Sequence, residues 1–200
     1  MNNSKIGLNY EPFVGIDYEH GIYEKKVIIL GYYIYGTKPE DKDKDAIKKR
    51  VKISLQNNIE KENWINNYRN FIKTLSEDDY PYNYGEKIWN KVLFHTYIQE
   101  PLKEKKSKPR VFQIRNAQES LKFVIKEYQP DVILVWTKGL SDKLKQFLNY
   151  ECSCLFKENE SYIIKMEGKV IRVLVIDYFP YRFSPSTWRP IIHEFLNITN

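Results

Sequence analysis

Three short apolar runs, at 27–30, 132–135 and 170–176, are built almost wholly from Val, Ile and Leu, and each opens at its carboxyl end into aromatic and polar residues. Short continuous runs of β-branched side chains read as strands buried on both faces, the pattern of a parallel sheet covered by helices. Open α/β sheets bind ligands in the crevice beyond the carboxyl ends of their strands. GYYIYG at 31–36, WTKG at 136–139 and DYFPYRFSPSTW at 177–188 therefore converge on one candidate site.

The intervening segments read mainly as helices. The charged stretch 38–50 (KPEDKDKDAIKKR) begins a solvated helix, and apolar residues from Val51 to Leu75, including Trp64, Tyr68 and Phe71, recur at helical spacing. This predicts one or two amphipathic helices over 44–75, ended by the acidic 76–79 and Pro81. A further helix is expected from Gly85 through Ile88, Trp89, Val92, Leu93 and Phe94, with 95–101 turning out of it. The basic 103–110 (KEKKSKPR) reads as an exposed loop, either simply solvated or touching phosphate. Asn116 with Glu119 reads as an N-cap and capping box ahead of Leu121, Val124, Ile125 and Tyr128.

Beyond the second run, 139–148 reads as a helix. The weak alternation of 155–166, with a polar turn at 158–161 and Glu167-Gly168 before the third run, predicts a hairpin at the sheet edge. Ser184 as N-cap and Pro185 at the first helical position open a last helix through Trp188, Ile191, Ile192 and Phe195. Near the start, Phe13-Val14-Gly15, Tyr18 and Tyr23 suggest an arm packed on the rest. The expectation is one α/β domain over 1–200, with a charged helical segment at about 40–80.

The balance of 32 Lys and Arg against 26 Asp and Glu, net +6 with a pI near 9.0, suits an anionic partner without establishing one. Aromatics make up 15% of residues, 16 of them Tyr, which fits either base-stacking surfaces or a tyrosine-rich core. The only cysteines, Cys152 and Cys154, have no zinc-site spacing, so neither a metal nor a cofactor is expected. No apolar stretch has the length of a membrane span, and the opening residues lack a signal-peptide pattern, so a cytoplasmic protein without membrane contact is expected. Missing are a phosphate-cradling P-loop, G-x-S-x-G, H-E-x-x-H, and the H-x-E with P-C-x-x-C of zinc deaminases.

Two residues stand out chemically. His95, beside Thr96 and Gln99, is a candidate site residue or a satisfied buried histidine; Asp177, directly after the third run, is a candidate crevice carboxylate or the cap of a turn. Arg182 and the amino end of the Ser184 helix offer a charge and free N–H groups for one phosphate.

In order and spacing, PFVG at 12–15, KVIILGYYIYG at 26–36, WNKVLFHTYIQEPL at 89–102, PDVILVWTKGLSDKL at 130–144 and FPYRFSPSTWRPII at 179–192 resemble the uracil-DNA glycosylase superfamily, particularly its short bacterial branch. The resemblance spans most of the chain and is weakest over 40–80. It implies a three-layer α/β/α sandwich around a central, mostly parallel four-stranded sheet, and enzymes that flip a damaged base from DNA and cleave its glycosidic bond. In that family the loop after the first strand carries a carboxylate or polar substitute that positions water. An Asn-containing segment reads the base, and a late His-Pro-Ser segment stabilises its departure. Here the corresponding positions hold Tyr32-Tyr33-Ile34-Tyr35, His95-Thr96-Tyr97 and Phe179-Pro180-Tyr181.

A phenol is a poor general base near neutral pH, and phenylalanine cannot stabilise negative charge on a departing base. The sequence therefore favours a binding protein of this fold that recognises nucleic acid, DNA foremost, or a nucleotide-like ligand without base excision. Gly31, Tyr32, Tyr35, Thr96, Phe179 and Tyr181 would line the ligand site, the Tyr and Phe rings stacking on bases, and Lys138, Arg182 and the helix starting at Ser184 would hold phosphates. The alternatives are an active divergent glycosylase using Asp177, His95 or Asp17, and a protein-interaction module with an aromatic crevice.

Overall fold

The computed structural model describes residues 8–56, 63–76, 84–104, 107–148, 150–151, 159–166, 168–176 and 183–198. In chain order the elements are β1 (Phe13–Val14), β2 (Val27–Gly31), a 3₁₀ turn (Pro39–Lys42), α1 (Ala46–Ser54), α2 (Asn63–Lys73), α3 (Tyr84–Trp89) and β3 (Val92–Thr96). There follow α4 (Val111–Tyr128), β4 (Val132–Val135), α5 (Lys138–Phe147), β5 (Tyr150–Glu151), β6 (Ser161–Met166), β7 (Lys169–Val175) and α6 (Pro185–Asn197).

The chain is mixed α/β. Its sheet has seven strands in the order β1-β3-β2-β4-β7-β6-β5, rather than the expected four. The middle four, β3-β2-β4-β7, are parallel, with Val27 opposite both Val92 and Val132 and Val132 opposite Arg172. Antiparallel strands extend the sheet on both sides: the arm supplies β1 against β3, and β6 forms a hairpin with β7 that β5 continues. Gly168, at φ +77°, supplies the left-handed residue that this tight β6–β7 turn requires. Of the turn expected at 158–161, residues up to 158 lie outside the described ones, and Ser161 already belongs to β6.

Strand periodicity explains the two cores. Val27, Ile29, Val92, Phe94, Val132, Leu134 and Leu174 point to one face, where Ile47 and Val51 of α1, Phe71 and Ile72 of α2, and Ile192, Phe195 and Leu196 of α6 cover them. Ile28, Leu30, Leu93, Ile133, Val135 and Val173 point to the other, beneath Ala117, Leu121 and Val124 of α4 and Leu140 and Leu144 of α5. Among the described residues, no helix is long and apolar enough to cross a membrane.

Two expected boundaries move. The helix predicted from Gly85 through Phe94 ends at Trp89, and Val92–Thr96 is a strand buried along its whole length. Helical spacing of Ile88, Trp89 and Val92 is accidental there; pairing of this segment with β2 and burial on both sheet faces override the local pattern. Nor does α4 begin at Asn116. It starts at Val111, where the Gln113 side chain accepts from the Arg110 N–H at 2.8 Å, so Gln113 does what Glu119 was expected to do. Asn116 and Glu119 lie exposed inside the helix.

The last helix follows expectation at its start, with Ser184 at the N-cap and Pro185 first, although the Ser184 hydroxyl faces Ser186 Oγ at 2.7 Å and not a helix N–H. Its other end has no basic residue of its own. Arg172 of β7, 4% exposed, supplies the missing charge and donates through Nη1 to the carbonyls of Phe195 and Ile198 at 3.0 and 2.9 Å.

Candidate functional site

From β2 the chain moves to β3 on one side, then returns to β4 on the other. The strand order thus reverses between β2 and β4, and their carboxyl ends flank the switch point where open α/β sheets form a crevice. Gly31 and Tyr32 lie at one of these ends, and Trp136, Thr137 and Lys138 at the other.

The segment after β2 remains ordered by backbone pairing. Tyr97 N–H donates to Gly31 O and Ile98 N–H to Tyr32 O, both at 2.8 Å, then Leu102 N–H to Ile34 O at 2.9 Å and Gly36 N–H to Leu102 O at 3.1 Å. Residues 32–36 and 97–102 therefore prolong the β2–β3 pair past the sheet. Ile34 turns into the core while Tyr32, Tyr33 and Tyr35 stay half-buried, with ring centroids 4.6 Å apart for Tyr32–Tyr33 and 5.0 Å for Tyr33–Tyr35. Tyr97 lies beneath them, fully buried, 6.4 Å from Tyr32. Tyr35 Oη donates to Tyr33 Oη at 3.1 Å. Burial raises the Tyr32 and Tyr35 phenols above their ordinary range, and neighbouring Tyr33 adds to both. At neutral pH Tyr32 and Tyr35 are therefore protonated phenols, which can stack and donate hydrogen bonds but cannot act as a base.

Of the three candidate catalytic groups, His95 and Asp17 do not present themselves there. His95 on β3 is fully buried beneath α4, its Nε2 3.2 Å from Ser120 Oγ and 3.4 Å from Gln99 Nε2. Burial pulls its pKa down to about 3, so the imidazole is neutral. Asp17 is tied by its N–H to Asn90 O at 2.8 Å, at the amino end of β3, on the opposite edge of the sheet from the crevice. There its carboxylate pairs with exposed His20 at 2.6 Å. Asp177 lies outside the described residues; the preceding Ile176 donates its N–H to Val135 O at 2.8 Å, beside the end of β4.

Among the expected binding residues, Gly31 is a contact position. A Cβ there would stand 3.2 Å from the Phe94 ring, so the absence of a side chain lets that ring lie against the strand. Thr96 is buried, its carbonyl accepting from Gln99 Nε2 at 2.7 Å, so it does not reach a ligand directly. Lys138 is exposed in the first turn of α5, behind the N-cap Thr137 whose Oγ1 accepts from Leu140 N–H at 3.4 Å. Ser184 is partly exposed, and the adjacent Phe183 ring stacks on Phe71, which packs against Trp136 at 4.8 Å. This aromatic chain holds the start of α6 next to the end of β4. Phe179, Tyr181 and Arg182 lie outside the described residues.

A groove of about 650 Å³ opens at the same edge, between the arm, the segment after Tyr35 and the segment after β3; its lining includes Tyr10, Gly36, Lys42, Lys44, Gln99, Glu100 and Lys103. Asp41 fixes one wall, accepting from Arg50 Nη2 at 2.9 Å and Lys38 N–H at 3.2 Å. A Cβ on Gly36 would overlap the Asp41 carboxylate at 2.0 Å, so a side chain there would displace Asp41. Tyr10 N–H donates to Gln99 Oε1 at 3.1 Å and closes the floor. Among the described residues no group of His, Cys, Asp and Glu side chains is placed to hold a metal ion.

Sequence reasoning missed Tyr33 and this groove. The i, i+2 spacing of Tyr33 and Tyr35 was the available signal for the first. The groove draws its residues from three distant segments and had none. No family model matches the chain, and no curated protein matches it.

Proposed function

We propose that this protein binds nucleic acid, or a nucleotide-like ligand, through the tyrosine array at the carboxyl end of its central strand, and that it does so without base excision. The observation that carries this reading is the array itself: three half-buried phenols, with Tyr33 in contact with both Tyr32 and Tyr35, fixed by backbone pairing of 32–36 with 97–102. Aromatic faces at such a position stack bases irrespective of sequence, and exposed Lys138, Lys42 and Lys103 on the same edge supply charge for phosphates.

The finer fold we propose is the uracil-DNA glycosylase arrangement. Its support is a middle set of four parallel strands with helices packed on both faces, together with the motif order in the sequence. Loss of excision is supported by the neutral, sealed His95 and by the position of Asp17 on the far edge. Asp177 is then the one candidate left for activating water.

The test pairs binding with chemistry. Fluorescence anisotropy on labelled single- and double-stranded oligonucleotides should register binding, and Tyr33→Ala should weaken it. Duplexes carrying uracil, hypoxanthine and other lesions, treated to cleave abasic sites, should give no product. Product that Asp177→Asn abolishes would replace this reading with an active divergent glycosylase. No binding to any oligonucleotide or nucleotide would refute it.

A further inference from the structure

We propose that the groove between 8–10, 36–44 and 99–103 is a site for a phosphorylated ribose, either a free ribonucleotide or one residue of an RNA strand. This deepens the nucleotide-binding reading and rests on it. The groove, about 650 Å³, lies within the range of small-ligand sites. Its charges are divided. Lys42 and Lys103, contributed by separate segments, are exposed, and neither has an ion-pair partner among the described residues; Lys44 is paired with Glu11 at 3.1 Å. Two uncommitted ammonium groups on one groove suit a phosphate.

Glu100 is the opposite charge on the same lining, and its orientation is fixed. Its Oε2 accepts from Gln113 Nε2 at 3.0 Å, and Gln113 is held in turn by the Arg110 N–H. That leaves Oε1 without a partner among the described residues. A carboxylate only accepts, so what it meets must donate, and it repels a phosphate placed against it. A ligand that satisfies both ends is anionic at the lysines and bears hydroxyl donors at Glu100; a ribose 5′-phosphate is such a unit, its hydroxyls meeting an acidic side chain as in dinucleotide sites. Gln99 does not compete for this role. Both ends of its amide are engaged, with Tyr10 N–H and with Thr96 O.

Titration calorimetry of the full chain with 5′-AMP, 2′-deoxy-5′-AMP, adenosine, ribose 5-phosphate and a short oligoribonucleotide tests this. AMP should bind about tenfold more tightly than its deoxy analogue, the effect of one hydrogen bond to a charged acceptor. Lys42→Ala and Lys103→Ala should weaken AMP and ribose 5-phosphate while leaving adenosine unchanged. Glu100→Ala should level AMP with its deoxy analogue, with thermal melting confirming that each variant folds. Oligoribonucleotide binding far tighter than AMP identifies an RNA residue as the occupant; equal affinity identifies the free nucleotide. Equal affinity for AMP and deoxy-AMP in the unmodified protein, or no binding of either with the oligoribonucleotide also silent, overturns the proposal. Oligonucleotide binding that depends on Tyr33 but ignores Lys42, Lys103 and Glu100 overturns it while leaving the tyrosine reading intact.

Discussion

Replacing His95 by glutamine removes an imidazole that the fold holds neutral, and this has a pH signature. In the unfolded chain the group titrates near 6.5, whereas burial lowers it to about 3 in the folded protein. Below pH 6.5 the unfolded state therefore binds a proton that the folded state refuses. The stabilising contribution is complete above pH 6.5 and is lost progressively as pH falls toward 3. At 1.36 kcal/mol per pH unit, lowering the pH from 7 to 5 should cost about 2 kcal/mol through this residue alone. Urea unfolding of the wild type and of His95→Gln at both pH values isolates it, because effects of the carboxylates are common to the two proteins. The wild type should lose about 2 kcal/mol more than the variant over this interval. An equal loss in both, or a titration near pH 6.5 in the folded protein by the imidazole resonance that His95→Gln removes, would show His95 solvent-accessible and restore it as a candidate catalytic group.

Other perturbations read different parts of the structure. Arg172→Met removes two charge-assisted bonds to the carbonyls ending α6 and should cost about 3 kcal/mol in urea unfolding; a loss under about 0.5 kcal/mol would mean that the apolar replacement offsets the cap. Gly15→Ala would place a Cβ 2.2 Å from Asn90 O, where the backbone must shift, and should cost about 1–3 kcal/mol, lowering Tm by several degrees. An unchanged Tm would contradict the close passage of the arm over the start of β3. Tyr33→Ala should weaken oligonucleotide binding by about 1–3 kcal/mol per stacked base while Tyr33→Phe retains most of it. Equal effects of the two would assign the role to the hydroxyl that meets Tyr35.

Much of the sheet was legible because burial on both faces writes itself as a continuous apolar run. The runs at 27–30, 132–135 and 170–176 mark β2, β4 and β7, and the Glu167-Gly168 signal marks the turn into β7. β3 was not legible: Val92–Thr96 has only two β-branched residues and continues the helical spacing of Ile88 and Trp89, so its strand state comes from pairing with β2. The site divided in the same way. GYYIYG announced the aromatic edge because strand direction places it there. Asp17 was misplaced because β1 runs antiparallel to β3, carrying the chain to the opposite edge, and sequence distance does not encode that direction. The groove was invisible because Lys42, Glu100 and Lys103 meet only after the sheet forms.

The salt dependence of single-stranded oligonucleotide binding tests the recognition edge most directly. Phosphate contacts by three exposed lysines, Lys42, Lys103 and Lys138, predict a slope of about −2 in log K against log salt, since each contact on a single strand contributes about −0.7. Binding with that slope, weakened by Tyr33→Ala, is the expected result. Absence of binding at low salt, or affinity indifferent to salt, would contradict it.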